Sequence, residues 1–447
     1  MLHWLPLLLT MSAPTPRWEP ARTWALVAGV VSWRDPRLPA FEGQRRDVDL
    51  MHSLARSGVP EAQRTLLIDG EATRHGVLAA LADHVTTAPN GSTFIVYFEG
   101  HGLVDGARFV LGTADTDLDA LERTGLDLAA LYPVLALRGA SDRVLLLGDA
   151  CYAGNLAALA AALTYSGVPT VSLTSAAEAS ESSTNWTFTQ ALIDGLDGRA
   201  IIDVNQDGDI TLTEIAHEAR LAMRYRERQP IGFAPLGFAD LVLTRAQPWP
   251  ADLAALDGRG QRFGRGDWIV ARRLDGQRSV GRVLGARSDD DAESPPAAGP
   301  ATKLRVEYYD HAERTVTWAL EDRADPVVMF AYPVGTRLRV RDRESLYEAV
   351  VERVEDELQF VRLGALISGE DRAYRPDALF VTPDQVVAAL GDADKDRRVL
   401  VEDNGAVFEA IVKARIGGEV CLRYPGAPFT QDDCVDDARV SRDTRAP

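Results

Sequence analysis

At 447 residues the chain exceeds one ordinary core and divides into two or more domains. Its 46% hydrophobic and 26% charged residues exclude a disordered tail, and a net charge of −18 excludes non-specific nucleic-acid binding through a basic surface. Three cysteines, Cys151, Cys421 and Cys434, make no disulfide framework and point to a reducing, cytoplasmic setting.

The opening MLHWLPLLLT resembles a short signal core but lacks a basic leader and an A-x-A site and is too short to span a bilayer, so 1–22 is expected to be a flexible entry, with Met11 an alternative start. TWALVAGVV is a continuous apolar run of the kind buried on both faces of a parallel sheet. DVDLMHSLARSG has helical spacing, RTLLIDG is the next strand, and ATRHGVLAALADHVT the next helix, capped by Thr73. TFIVYFEG, LDLAALYPVLALRG and RVLLLGDA continue as strand, helix and strand. A helix over Leu156 to Leu163, a strand at GVPTVSLTS, a helix near TFTQALIDGL and a closing strand at ADLVLTR complete an α/β domain over 23–245. Strands separated by helices predict a mainly parallel sheet with right-handed crossovers.

A Pro- and Gly-rich stretch, 246–266, reads as a linker. Beyond it short alternating strands recur in a loose repeat. Three small all-β barrels of SH3 or Tudor type are expected at 267–330, 331–385 and 395–445, with SDDDAESPPAAGP a flexible loop in the first. Their aromatics, Tyr308, Tyr347 and Phe360 among them, are more often core than a cage for a methylated cation. Cys421 reads as a buried strand residue.

Functional groups in open α/β sheets gather beyond the carboxyl ends of the strands. Of the seven histidines, His101 alone follows a buried strand, between Gly100 and Gly102. Cys151 follows the strand RVLLLGDA at a strand-to-helix turn, where a helix N-terminus and a histidine can lower a thiol pKa. Taken singly, each is more often structural. Together they offer a nucleophile and its base.

The His-then-Cys order and spacing resemble the caspase-like cysteine peptidases, in the metacaspase and orthocaspase branch, over roughly Trp24 to Arg245. The resemblance implies a caspase-hemoglobinase-like sheet and a His101 and Cys151 dyad, with the N–H groups of Gly102 and Cys151 as the oxyanion hole. Animal caspases carry Gln-Ala-Cys where this chain has Asp149, Ala150 and Cys151. Metacaspases carry that aspartate, and a second before the first helix that matches Asp47. The two carboxylates imply cleavage after Arg or Lys, with Arg favoured by bidentate pairing. Glu99 replaces a small residue and either deepens or obstructs that pocket. Asp47 alternatively caps the helix beginning near Val48. Tyr152 replaces the family's histidine after the nucleophile.

IIDVNQDGDITLTEIAHEA matches the Ca²⁺-loop template, with Asp203, Asn205, Asp207, Asp209 and Glu214 at its ligand positions. The entering helix is interrupted by Gly195 and Gly198, and an Asx-rich turn starting a helix explains the same residues. No cofactor is required for the chemistry, and Ca²⁺ is the candidate bound ion. The leading expectation is a latent Arg/Lys-specific endopeptidase acting on proteins, switched on by Ca²⁺, by an upstream protease cutting after Arg259, Arg262, Arg265 or Arg287, or by a protein partner of the barrels. Bacterial relatives look like components of stress, cell-death or antiviral defence cascades. The competing expectation is a catalytically weak scaffold. Neither nucleic acid nor membrane is an expected partner.

Overall fold

The computed structural model describes 15–249 apart from 42–44, 107, 179–181, 183–184, 228 and 239. Beyond that it describes 262–272, 278–288, 302–310, 313–320, 324–326, 332–342, 345–355, 358–368, 378–381, 386–390, 398–403, 406–416, 419–423, 432–436 and 440–442.

The first domain alternates strand and helix. In chain order it runs β1 (Thr23–Gly29), α1 (Asp47–Arg56), β2 (Arg64–Ile68), α2 (Arg74–Thr87), β3 (Thr93–Glu99), β4 (His101–Asp105), β5 (Arg108–Gly112), α3 (Leu121–Thr124), β6 (Leu126–Asp127), α4 (Leu128–Leu135) and β7 (Arg143–Asp149). It continues with α5 (Leu156–Tyr165), β8 (Thr170–Thr174), α6 (Thr187–Leu196), β9 (Asp209–Thr211), α7 (Leu212–Ala222), β10 (Gly232–Ala234) and β11 (Val242–Arg245). Six strands form one sheet in the order β10-β8-β7-β3-β1-β2, parallel except for β10.

Strand alternation sorts the apolar runs onto the two faces of this sheet. Ala25, Val27, Ile95, Tyr97, Leu145 and Leu147 pack with α1, α6 and α7, whereas Trp24, Leu26, Phe94, Phe98, Val144 and Leu146 pack with α2, α4 and α5. Thr73 caps α2 by accepting from Gly76 N at 3.0 Å, and Asp127 caps α4 by accepting from Ala130 N at 2.9 Å. Each cap contributes about 1 kcal/mol. Gly195 does not interrupt α6. A Cβ there would fall 2.4 Å from Ile215 of α7, so the glycine permits close packing of the two helices.

Several expectations change. The entry 1–22 is not wholly loose: Trp18 is buried in the first core, Arg17 bridges to Val242, and Arg17 pairs with Asp209. The stretch before it, 1–14, lies outside the described residues. The strand expected at ADLVLTR forms as β11 but pairs antiparallel with β9, and the main sheet is closed instead by the three-residue β10. A separate antiparallel sheet, β4-β5-β6, follows the Gly100 turn. Both described ends of the expected linker 246–266 are docked, Ala246 and Trp249 against the first core and Phe263 in the core of the first β unit. Among the described residues no helix is long and apolar enough to cross a membrane.

The C-terminal region is all β. Its strands are β12 (Trp268–Arg272), β13 (Arg278–Ser288), β14 (Thr302–Asp310), β15 (Glu313–Leu320) and β16 (Ala324–Pro326), then β17 (Arg337–Asp342), β18 (Ser345–Glu355), β19 (Leu358–Ser368), β20 (Ala378–Val381) and β21 (Val386–Leu390). The last group is β22 (Arg398–Asp403), β23 (Ala406–Ile416), β24 (Glu419–Arg423), β25 (Asp432–Asp436) and β26 (Val440–Arg442). Each group is a five-stranded antiparallel sheet in which a four-strand meander is completed by a fifth strand pairing back onto the first. The second group's fifth strand, 386–390, lies past the boundary expected at 385. Tyr308, Tyr347 and Phe360 are buried, as core aromatics are. SDDDAESPPAAGP lies outside the described residues after Ser288. The first sheet docks on the α/β domain through two ion pairs: Arg282 with Glu218 of α7, both buried, and Arg199, partly exposed, with buried Glu307 at 2.8 Å.

Candidate active site

β3 and β7 are neighbours in the sheet and end in register. Glu99 is the Cα partner of Asp149, and Gly100 N donates to Asp149 O at 3.2 Å. His101 and Cys151 each stand two residues past that pair, so the ladder brings both positions to one sheet edge. Gly100 makes the turn between β3 and β4 with φ +152, a conformation that side chains disfavour.

The His101 imidazole is half-buried between Trp33 and Phe41, with ring centroids at 4.2 and 4.4 Å. Trp33 is fixed by donating Nε1–H to Gly112 O at 2.8 Å, and Phe41 also packs edge-on against Trp186. His101 Nε2 lies 2.9 Å from Pro39 O. A carbonyl only accepts, so Nε2 carries the proton and Nδ1 keeps the lone pair. Burial pushes the imidazole pKa below its ordinary value, opposed by the Pro39 bond, so the ring is a neutral base at neutral pH.

Cys151 is half-buried and in no disulfide. Ser182 N donates to its Sγ at 3.2 Å, and the thiol in turn faces Ser182 O at 3.9 Å. A 3-10 turn over Ala153–Asn155 follows Cys151 and runs directly into α5, so the chain passes from strand to helix within two residues of the thiol. Tyr152, after the nucleophile, is left-handed with φ +57, costing about 1–3 kcal/mol. Asn155 offsets this by donating its N and Nδ2 to Tyr152 O at 3.1 and 2.9 Å.

Alternation puts Glu99 and Asp149 on the face shared with Tyr97 and Leu147, beside α1 and α6. Asp47, the first residue of α1, lies over Gly29, whose Cα partner is Glu99. A Cβ on Gly29 would fall 1.7 Å from Asp47 Oδ2. The three carboxylates expected to bind a basic side chain are therefore together and fully or almost fully buried.

Each is already engaged. Asp47 Oδ1 accepts from Val48 N at 2.8 Å, and Arg45 grips Asp47 with Nε at 3.1 Å and Nη2 at 2.6 Å. Arg45 also donates to Asp69 at 2.5 Å and to Gly29 O at 3.0 Å. Asp47 thus holds a helix-start amide and pairs with a guanidinium, but the guanidinium is the chain's own. Asp149 Oδ2 accepts from Thr189 Oγ1 at 2.6 Å and Thr189 N at 3.3 Å, so it is not unpaired; burial still pushes its pKa up to about 6. Glu99 Oε2 accepts from Tyr97 at 2.8 Å while Oε1 has no hydrogen-bond partner. Burial, then the charges of Asp47 and Asp149, push Glu99 up to about 8 against the opposing Tyr97 and Arg46 hydrogen bonds.

In the loop 203–214 the side chains satisfy the loop itself. Asp203 accepts from Asp207 N and Gly208 N at 3.1 and 3.0 Å, Asn205 from Asp207 N at 2.9 Å, and Asp207 from Asp209 N at 2.9 Å. Asp209 pairs with Arg17, and Glu214 forms a capping box with Thr211. Among the described residues no three His, Cys, Asp or Glu side chains converge as a ligand set, so no step is routed through a cation. Of the expected cleavage positions, Arg262 is exposed. Arg265 stacks on Trp249 at 3.9 Å and donates to Leu284 O at 3.0 Å, Arg287 lies inside β13, and Arg259 lies outside the described residues.

A comparison with models of known protein families finds no match, and neither does one with curated proteins. Among solved structures the chain is similar to a structural-genomics protein of Geobacter sulfurreducens, at 16% identity and a TM-score of 0.35 over 51% of this chain and 100% of that one. It is also similar to caspase-1 of Spodoptera frugiperda, at 13% identity and a TM-score of 0.37 over 53% of this chain and 96% of that one.

Proposed function

We propose that 23–245 is a cysteine endopeptidase that cuts protein substrates after Arg, and less well after Lys, through His101 and Cys151. The observation that carries it is the Nε2–H bond to Pro39 O, which leaves Nδ1 as the base two residues past the end of β3, beside β7, past whose end the thiol stands. Nδ1 takes the thiol proton, and Sγ attacks the scissile carbonyl as its electron pair moves onto oxygen. Gly102 and Cys151 N–H groups receive that oxyanion. The protonated imidazole then gives its proton to the leaving amine. Water, deprotonated by the same nitrogen, releases the acid from the thioester.

The protein is made latent. Arg45 already fills the place beside Asp47 that a substrate arginine would take, and activation frees it. Proteolysis at Arg262, Ca²⁺ at 203–214 or a protein bound to the β units are the candidate triggers, and the family resemblance supports a role in a cytoplasmic stress or defence cascade. The same occupancy of Asp47 favours a second reading, a scaffold whose β units recruit a partner. Fluorogenic Arg, Lys and Asp peptides, with and without Ca²⁺ and after limited trypsin treatment, are compared with Cys151→Ala. Cleavage after Arg that is lost in the variant is expected. Cleavage after Asp alone removes the pocket assignment, and silence in every condition leaves the scaffold.

A further inference from the structure

A buried chain of hydrogen bonds joins two of the carboxyls. Tyr97 Oη lies 2.8 Å from Glu99 Oε2 and 2.5 Å from Thr189 Oγ1, and Thr189 Oγ1 lies 2.6 Å from Asp149 Oδ2. Three links need three protons, and the two hydroxyls supply one each. With both carboxyls ionised, Tyr97 would serve Glu99 and Thr189 would serve Asp149. The middle contact would then press lone pair against lone pair at 2.5 Å between two fully buried side chains. A carboxylic acid at one end repairs all three links.

The neighbours decide which end. Asp149 also receives Thr189 N–H and the Ser175 hydroxyl, donors that suit an anion, although Glu227 opposes its charge. Glu99 Oε1 is buried without a partner, which suits a neutral acid. The charged groups around Glu99 are Asp47 from α1, already matched by Arg45, and Asp149 from β7; the Arg46 amide is the remaining donor.

We propose that Glu99, Tyr97, Thr189 and Asp149 form one proton-sharing unit that holds a single extra proton in the free protein, carried by Glu99, with Tyr97 and Thr189 as its positioning residues. Of the three carboxyls at this edge of the latent protein, Asp47 is matched by Arg45 and Glu99 by a proton; once activation frees Arg45, Asp47 and Asp149 are the anions that receive a monocation. Entry of a substrate guanidinium expels the Glu99 proton. This last consequence rests on the Arg-specific function proposed above; the proton unit does not.

Infrared spectra of the full chain containing ¹³C-labelled glutamate test the unit at neutral pH. A carboxylic-acid C=O band is expected that disappears in Glu99→Gln and titrates out in alkali. Tyr97→Phe is expected to keep the band and move it to higher wavenumber, because the acid loses its acceptor; a purely structural tyrosine would leave it in place. Absence of an acid band in the wild type, or an unmoved band in Tyr97→Phe, overturns the proposal, and the second comparison decides alone if Glu99→Gln fails to fold. Calorimetry with a peptide arginine aldehyde in two buffers of different ionisation enthalpy reads the linkage, with release of about one proton per ligand expected. An aldehyde that binds neither the full chain nor the trypsin-treated protein while the band is present sinks the peptidase reading and leaves the proton unit standing. Binding without proton release overturns the linkage.

Discussion

Gly102 is pressed against the backbone of Cys151: a Cβ built on Gly102 would fall 1.7 Å from the Cys151 carbonyl oxygen and 3.3 Å from its nitrogen. The segment carrying His101 and the turn carrying Cys151, the proposed base and nucleophile, are therefore one packed unit, with no room for a methyl group. Gly102→Ala is expected to displace one against the other, costing about 1–3 kcal/mol of stability and about 100-fold in kcat/KM. Peptide hydrolysis and urea unfolding of the variant measure both. Full activity in a stable Gly102→Ala protein would show that the contact does not position the dyad.

The contribution of Glu99 and Asp149 to stability should fall as pH rises through the mildly acidic range. Below the ordinary values of 4.5 for Glu99 and 3.8 for Asp149 both states are protonated and neither group contributes a difference. Above them the unfolded chain releases protons that the folded protein retains. Each group then removes about 1.4 kcal/mol per pH unit, until the folded carboxyl itself titrates near 6 for Asp149 and near 8 for Glu99. Burial of His84, His101 and His217 acts in the opposite sense below 6.5, so the carboxyl effect is read as a difference: the urea midpoint of Glu99→Gln should gain on the wild type as pH rises up to about 8. A variant as steep as the wild type would assign the slope elsewhere.

In the proposed mechanism His101 acts unprotonated, so kcat/KM should be lost as pH falls through the folded imidazole pKa. Burial places that pKa below 6.5. Phe41→Ala opens one face of the ring to water and should move the acid limb upward. A limb that stays fixed in Phe41→Ala would mean that another group controls it.

Arg45→Ala should separate two effects. Loss of the pair with buried Asp47 should cost about 2 kcal/mol, between the values for surface and buried pairs. If Arg45 occupies the substrate site as proposed, its removal should at the same time lower KM for arginine peptides. A raised KM would instead make Arg45 part of the substrate site.

The strand and helix alternation of the first domain was legible because each strand is a continuous apolar run, and His101 and Cys151 were legible because each follows such a run. Pro39 was not, since it acts through a main-chain carbonyl that any residue supplies. Nor was the engagement of Asp149, because Thr189 comes from a helix forty positions away and only the packing of α6 brings it there. Arg45 is one of two adjacent arginines, and nothing in RRD tells which turns inward to Asp47. The three-residue β10 is too short to show a period, and VVAAL, the strand past 385, is an apolar run that suits helix as well as strand.

Docking of the first β unit rests on a buried charge pair whose removal is informative in both orders. Arg282 of β13 and Glu218 of α7 are each 4% exposed and share a hydrogen bond across the domain boundary. Arg282→Leu leaves Glu218 buried without its guanidinium and should cost about 3–5 kcal/mol. Adding Glu218→Leu removes the stranded charge and should recover most of that loss, because an apolar pair in the same space needs no desolvated partner. The double-mutant cycle should show coupling above about 1 kcal/mol, and limited proteolysis should find the 246–266 segment cut faster in Arg282→Leu than in the double variant. Additive losses would show that the two domains are held by other contacts and that a partner bound to the β unit has no path through α7 to the active site.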